Sequence, residues 1–202
     1  MTDKTPTTEK ILRLVRQKGI LRVRDVTEQG IHPEYLRRLC TAGILQRSGR
    51  GLYLLANGDY SANITLLEAA RRVPHGVICL LSALRFHEIG TQLPHEVWMM
   101  IGLRAALPRI DYPRVRFFRA SGEAFKAGVE RHRIDRAEVA IYCAAKTVAD
   151  CFKYRNKIGL DVALEALRDC LHRKRSTVDD LWKYARICRV ERVMRPYLEA
   201  LV

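Results

Sequence analysis

Six residues between positions 35 and 50 have the chemistry to hold a polyanion: Tyr35, Arg37, Arg38, Thr41, Arg47 and Arg50. A guanidinium forks onto guanine or grips phosphate, and a threonine hydroxyl donates to either. A tyrosine can pack part of its ring on a core while its hydroxyl reaches a sugar-phosphate backbone. Arg37 and Arg38 are the candidates for base contact, with Arg47 and Arg50 directed at flanking phosphates. The six are expected to bind double-stranded DNA if one scaffold presents them together. The competing explanations are a solvated helix face and a module that docks proteins.

The surrounding pattern supplies such a scaffold over residues 1–57. Thr7 and Thr8 can cap a first helix, with Ile11, Leu14 and Val15 on one face and Gly19 as its stop. Ile20 and Leu21 lead into a short second helix carrying Val23 and Val26, ended near Gly30. Pro33 suits the first turn of a third helix, which runs to about Ala42. There Leu36, Leu39 and Cys40 repeat at helical spacing and face inward, which turns Glu34, Arg37, Arg38 and Thr41 outward. Two β-prone runs, 44–47 and 52–55, then flank the turn Ser48-Gly49-Arg50-Gly51. Three helices followed by a two-stranded ribbon make the winged helix-turn-helix plan, with the third helix in the major groove and the wing on the backbone.

Charge agrees with that expectation. The 202 residues hold 36 Lys and Arg against 22 Asp and Glu, a formal +14, which attracts nucleic acid, an acidic membrane surface or an acidic protein. Up to Leu55 there are eleven basic and five acidic residues, so the charge per residue is highest in the first quarter. With 48% hydrophobic residues the chain can bury a core. Its apolar stretches, 77–84, 97–103 and 139–145, fall short of the roughly 18 to 20 residues of a membrane helix. The polar start, residues 1–6, lacks the apolar middle of a secretory signal, and the expected location is the cytoplasm, with no membrane partner. The six cysteines are scattered through apolar stretches and read as reduced. His75 with Cys79 and Cys170 with His172 lack a second pair, so neither metal nor cofactor is expected.

Turn chemistry at 56–61 marks a boundary, and residues 60–202 read as a mixed α/β domain ending in a helical segment, so the whole is α+β. A helix from Ile64 stops before Pro74; 77–80 is extended and 82–88 helical. Runs 95–103, 114–119, 129–134 and 139–142 read as strands, and 143–154, 160–173, 177–186 and 190–200 as helices. Phosphate-loop, dinucleotide, nucleophile-elbow and zinc-protease signatures are missing, and Glu123 with Lys126 suits a helix surface better than a nuclease. Basic residues concentrate at 172–175 and at Arg186, Arg189, Arg192 and Arg195, a winding stripe if helical. Lys146 and Asp150 are four apart, so an exposed helical ion pair worth about 0.2 to 0.5 kcal/mol is the default account. The sharper one is a partner surface made of Lys146, Asp150, Lys153, Arg155 and Lys157, with Arg189 and Arg192 as a second basic surface.

Three segments carry a resemblance over nearly the full chain: His32-Pro33-Glu34-Tyr35-Leu36-Arg37-Arg38-Leu39 with Gly43-Ile44-Leu45 and Arg50-Gly51-Leu52-Tyr53; Val77-Ile78-Cys79-Leu80 with Ser82-Ala83-Leu84 and His87-Glu88-Ile89; and Ala145-Lys146-Thr147-Val148-Ala149-Asp150-Cys151-Phe152-Lys153-Tyr154-Arg155 with Lys157-Ile158-Gly159 and Ala163-Leu164-Glu165-Ala166-Leu167. On these residues the chain resembles the AbiEi family of antitoxins of type IV toxin-antitoxin, or abortive infection, systems. The resemblance implies a non-enzymatic protein with two jobs. The N-terminal module would bind operator repeats and repress its own operon; the C-terminal domain would counteract a nucleotidyltransferase-like toxin. A winged-helix regulator with a ligand-sensing second domain, and then a DNA-processing enzyme, are the alternatives.

Overall fold

The computed structural model describes residues 6–201. The polar segment 1–5, part of the stretch expected to lack a secretory signal, lies outside the described residues. The described chain is a mixed α+β structure, and none of its helices is long and apolar enough to cross a membrane.

The first part runs α1 (Pro6–Lys18), β1 (Leu21–Arg22), α2 (Val23–Thr27), α3 (Glu34–Thr41), β2 (Leu45–Gly49) and β3 (Leu52–Leu55). Thr7 and Thr8 lie inside α1 rather than ahead of it, and Pro33 stands just before α3 rather than in its first turn. The helices close on Ile11, Val15, Val26, Leu36 and Leu39, with Leu21 and Leu45 from the strands. The sheet has three antiparallel strands in the order β1-β3-β2, not the two expected. Two residues carry no periodicity that a sequence could reveal; β1 becomes a strand because Leu21 pairs with Tyr53 and Arg22 with Leu52.

The second part continues with α4 (Ile64–Arg72), β4 (Val77–Ile78), α5 (Leu80–Phe86), β5 (Val97–Gly102), β6 (Val115–Ala120), α6 (Glu123–Lys126), β7 (Val129–Ile134) and β8 (Ala137–Tyr142). The helices α7 (Ala144–Lys153), α8 (Arg155–Ile158), α9 (Leu160–His172), α10 (Val178–Ile187) and α11 (Glu191–Glu199) follow. The extended run expected at 77–80 ends at Ile78, since Leu80, at φ +47°, turns the chain into α5. The short α8 lies in what read as a gap between helices; Gly159, at φ +99°, then redirects the chain into α9.

Five strands form one mixed sheet in the order β6-β5-β4-β8-β7, with β4 parallel to β8 and β5 parallel to β6. Both faces are covered, which is why β5 reads as an unbroken apolar run. Val97, Met99 and Ile101 face α4, whereas Trp98 and Met100 face the layer of C-terminal helices. The α4 side also takes in Ile20, Leu52 and Leu54, so the first part shares a core with the second. Arg71 Nη2 donates to the Lys18 carbonyl at 3.0 Å and Arg22 Nη1 to the Arg71 carbonyl at 3.5 Å across the same seam.

Glu68 is caught in this seam at 2% exposure, and its Oε2 has no hydrogen-bond partner among the described residues. Burial pushes its carboxyl up to about 7, against the pull of Arg72. The folded state therefore keeps a proton that the unfolded chain releases near 4.5, and stability falls as pH rises from 4.5 to 7. Glu68→Gln is expected to leave the urea midpoint unchanged at pH 4 and to raise it at pH 8; a variant weaker than the parent at pH 8 contradicts this account.

Candidate nucleic-acid interface

Helix α3 is amphipathic, with Leu36 and Leu39 in the core and Arg37, Arg38 and Thr41 exposed on the opposite side. Tyr35 packs partly against the same core. Its ring centroid lies 5.6 Å from the Arg38 guanidinium, whose Nε is also 4.0 Å from Glu34 Oε1. Arg37 is held differently. Its Nε and Nη2 donate to Glu34 at 2.6 to 3.0 Å, and these bonds hold the Glu34 carboxyl below its usual range. Thr41 Oγ1 donates to the Arg37 carbonyl at 3.2 Å.

Arg47 is exposed on β2, and its Nε donates to the Gly49 carbonyl at 3.2 Å. Its charge opposes the burial that raises the Cys40 thiol on α3, and β2 packs directly against that helix. Arg50 belongs to another neighbourhood. It stands in the β2–β3 turn, where Gly51 adopts φ +73° and accepts from the Val23 amide at 3.2 Å. The turn thereby lies against the start of α2. There Asp25 is raised by burial but brought down further, to about 2, by hydrogen bonds from Arg22 and Lys18. Arg22, Arg24, Arg71, Arg72 and Arg109 gather around Arg50. Sequence reasoning missed these five, because they come from separate stretches and share no period.

The second candidate surface needs a correction. Lys146 and Asp150 are not on a surface: they are 0% and 1% exposed, 2.5 Å apart, inside the core of the second part. Helix α7 is covered by α5, α9, α10 and α11, and nine of its ten residues are buried, so an i, i+4 pair on it has no outer face to occupy. Lys146 Nζ also sits 4.1 Å from the Tyr142 ring centroid, and Asp150 Oδ1 accepts from Cys188 Sγ at 3.4 Å. Burial raises the Asp150 carboxyl, and the Lys146 charge opposes that rise.

Lys153, Arg155 and Lys157 do reach solvent, the first two half-buried. Lys157 Nζ lies 5.5 Å from the Phe118 centroid, and Arg155 Nη1 donates to the Phe152 carbonyl at 2.9 Å. The charge of Lys153 is a minor pull against the burial that raises the Cys188 thiol. The expected arginine stripe is not continuous: Arg189, at φ +60°, occupies the turn between α10 and α11, while Arg192 lies exposed on α11. Glu123 and Lys126 are exposed on α6. Among the described residues no group of three His, Cys, Asp or Glu side chains is placed to hold a metal ion. The cleft of about 560 Å³ in the second part is lined by charged groups that include Glu130, Lys174 and Arg175, and is not an apolar ligand pocket.

Residues 9–56 match the family model described as "Transcriptional regulator, AbiEi antitoxin", which confirms the resemblance over that segment. A solved structure, the RV2827C protein from Mycobacterium tuberculosis, is 12% identical and superposes with a TM-score of 0.61 over 96% of this chain and 81% of that one. At that identity the likeness is one of fold. No curated protein matches the chain significantly.

The buried pair invites a direct test. Asp150→Ala should cost about 3 to 5 kcal/mol in guanidinium unfolding because it strands a buried ammonium, whereas Lys146→Met with Asp150→Leu should lose far less. A single variant that loses under about 1 kcal/mol would show that the pair is not desolvated.

Proposed function

We propose that the protein is a DNA-binding autorepressor that doubles as an antitoxin. Residues 6–57 act as a winged helix-turn-helix: α3 enters the major groove of an operator duplex, and the β2–β3 wing follows the adjacent backbone. The observation that carries this reading is the open outer face of α3, where Arg37, Arg38 and Thr41 stand exposed with Arg47 on the neighbouring strand. The matched family description, a transcriptional regulator and antitoxin, supports it.

Glu34 fits the reading. A solvated ion pair is weak and easily exchanged, so Arg37 can leave Glu34 for the O6 and N7 of a guanine. The freed carboxylate then meets a cytosine amine or is repelled by phosphate. Glu34 therefore penalises loose backbone binding, which is how an acidic residue on a basic face adds selectivity.

Residues 60–201 are assigned the second job, counteracting a nucleotidyltransferase-like toxin. The surface assigned to it comprises Lys153, Arg155, Lys157, Arg189 and Arg192, without Lys146 and Asp150. The family resemblance supports this part, together with the exposure of Lys157, Arg189 and Arg192 and the partial exposure of Lys153 and Arg155.

A duplex from upstream of the coding sequence should bind with log affinity falling linearly in log salt, by about 0.9 per phosphate gripped. Arg47→Ala should flatten that slope by about one unit, Arg37→Ala should reduce discrimination against a scrambled duplex, and Glu34→Ala should tighten binding to the scrambled one. A salt-independent affinity would reject the assignment. For the second job, Lys153→Glu with Arg189→Glu and Arg192→Glu should abolish rescue of cells expressing the neighbouring toxin while leaving duplex binding intact. Rescue that survives excludes this surface.

A further inference from the structure

Six arginines drawn from four separate stretches of chain line one concavity of about 360 Å³: Arg22 and Arg24 at the start of α2, Arg50 in the β2–β3 turn, Arg71 and Arg72 in the last turn of α4, and Arg109 in the loop between β5 and β6. No carboxylate is among its lining residues. Asp25 holds Arg22 at 3.3 Å, Glu28 holds Arg24 at 2.7 Å, and Glu68 lies one turn before Arg72 on the same helix. Arg50 and Arg109 are exposed and have no ion-pair partner among the described residues.

The packing around the concavity is close. A Cβ on Gly49 would lie 2.6 Å from Arg72 Nη2 and 3.6 Å from the Tyr112 ring, so the β2–β3 turn is pressed against both α4 and the 103–114 loop. Buried Nε and Nη2 of Arg72 and buried Nε of Arg71 donate to no group among the described residues. Like charges gathered in one hollow repel, and buried donors left unpaired are costly. The repulsion is relieved by one kind of occupant, an anion with several acceptor oxygens. Guanidinium forks match phosphate in that geometry.

We propose that this hollow is a clamp for one phosphodiester group of duplex DNA, closed by Arg50 from the first part and Arg109 from the second. The proposal rests on the reading of residues 6–57 as a duplex-binding module and extends it. The hollow opens beside the turn that follows Arg47, so a backbone running along the wing passes it. Its apolar walls are Val23, Leu52, Pro108 and Ile110, with no aromatic ring for a base to stack on, which favours a backbone phosphate over a free nucleotide. The 103–114 loop thus makes the second part a contributor to DNA affinity.

The test uses the full chain and the upstream duplex, titrated between 50 and 300 mM salt. Arg109→Ala and Arg50→Ala are each expected to reduce the log-log salt slope by about 0.9 and to weaken specific and scrambled duplexes by the same factor, with Arg109→Lys restoring the slope. Arg50 and Arg109 are both exposed, and circular dichroism melts verify that each variant is folded. If the parent binds duplex with a steep slope that neither variant changes, the clamp is wrong and the duplex-binding module stands. If the parent binds no duplex, the module itself is wrong. If inorganic phosphate raises the melting temperature of the parent but not of Arg109→Ala, while the duplex slope is unchanged, the hollow serves a free phosphate and the clamp is overturned.

Discussion

Helix α4 is buried from two directions, and the placement of the first part against the second follows from that. Leu66, Leu67 and Ala69 share one core with Ile20, Leu52 and Leu54 from the N-terminal side and with Val97, Met99 and Ile101 from the sheet. A hinge between the parts would have to expose this apolar surface, at about 25 cal/mol for each Å² returned to water. The seam is also polar at its rim, where Arg71 donates to Lys18 and Arg136 Nη1 to the Arg16 carbonyl at 2.5 Å. The wing is therefore mounted on the sheet domain as one body. That mounting is what lets a loop of the second part stand next to a turn of the first.

The sheet domain solves a different problem. Its central helix α7 is surrounded, and a lysine and an aspartate face each other in its interior with Tyr142 and Cys188 as the remaining company. Two charges withdrawn from water hold each other only if both stay, so the pair ties α7 to the α10–α11 turn through Cys188. The two most conspicuous charges of α7 are thus structural, and the cations that reach solvent lie further along, at Lys153 and at Lys157 in α8.

How much of this was legible in the sequence depends on the range over which each feature is decided. Helix α3 and the β2–β3 hairpin were readable because Leu36, Leu39, Gly49 and Gly51 act within a few residues of the elements they shape. Most strands of the large sheet were readable from apolar runs or from alternation. Strand β1 was not, since two residues become a strand only through their partner Tyr53–Leu52. The burial of Lys146 was hidden for the same reason: a four-residue spacing says that two side chains share a face, and only the packing of four other helices says that the face is internal. The arginine cluster around Arg50 could not be read at all, because Arg22, Arg71 and Arg109 meet only after the sheet has folded.

The resulting charge distribution separates two tasks that a basic surface usually mixes. On α3 the cations are accompanied by Glu34, which engages Arg37 at 2.6 Å and lies 4.0 Å from Arg38, so their charge is partly offset, and on the proposed reading the gain comes when a base edge replaces the carboxylate. In the hollow beside the β2–β3 turn Asp25 and Glu28 pair Arg22 and Arg24 but no carboxylate lines the wall, so more unpaired positive charge is presented there, and its pull on a phosphate would be indifferent to base sequence. On the proposed reading, association driven by the second group would bring a duplex to the surface at almost any register, and residence at one register would then depend on the first. A duplex-binding protein arranged this way would gain its speed of encounter from arginines contributed by both halves of the chain, and its choice of site from the outer face of helix α3.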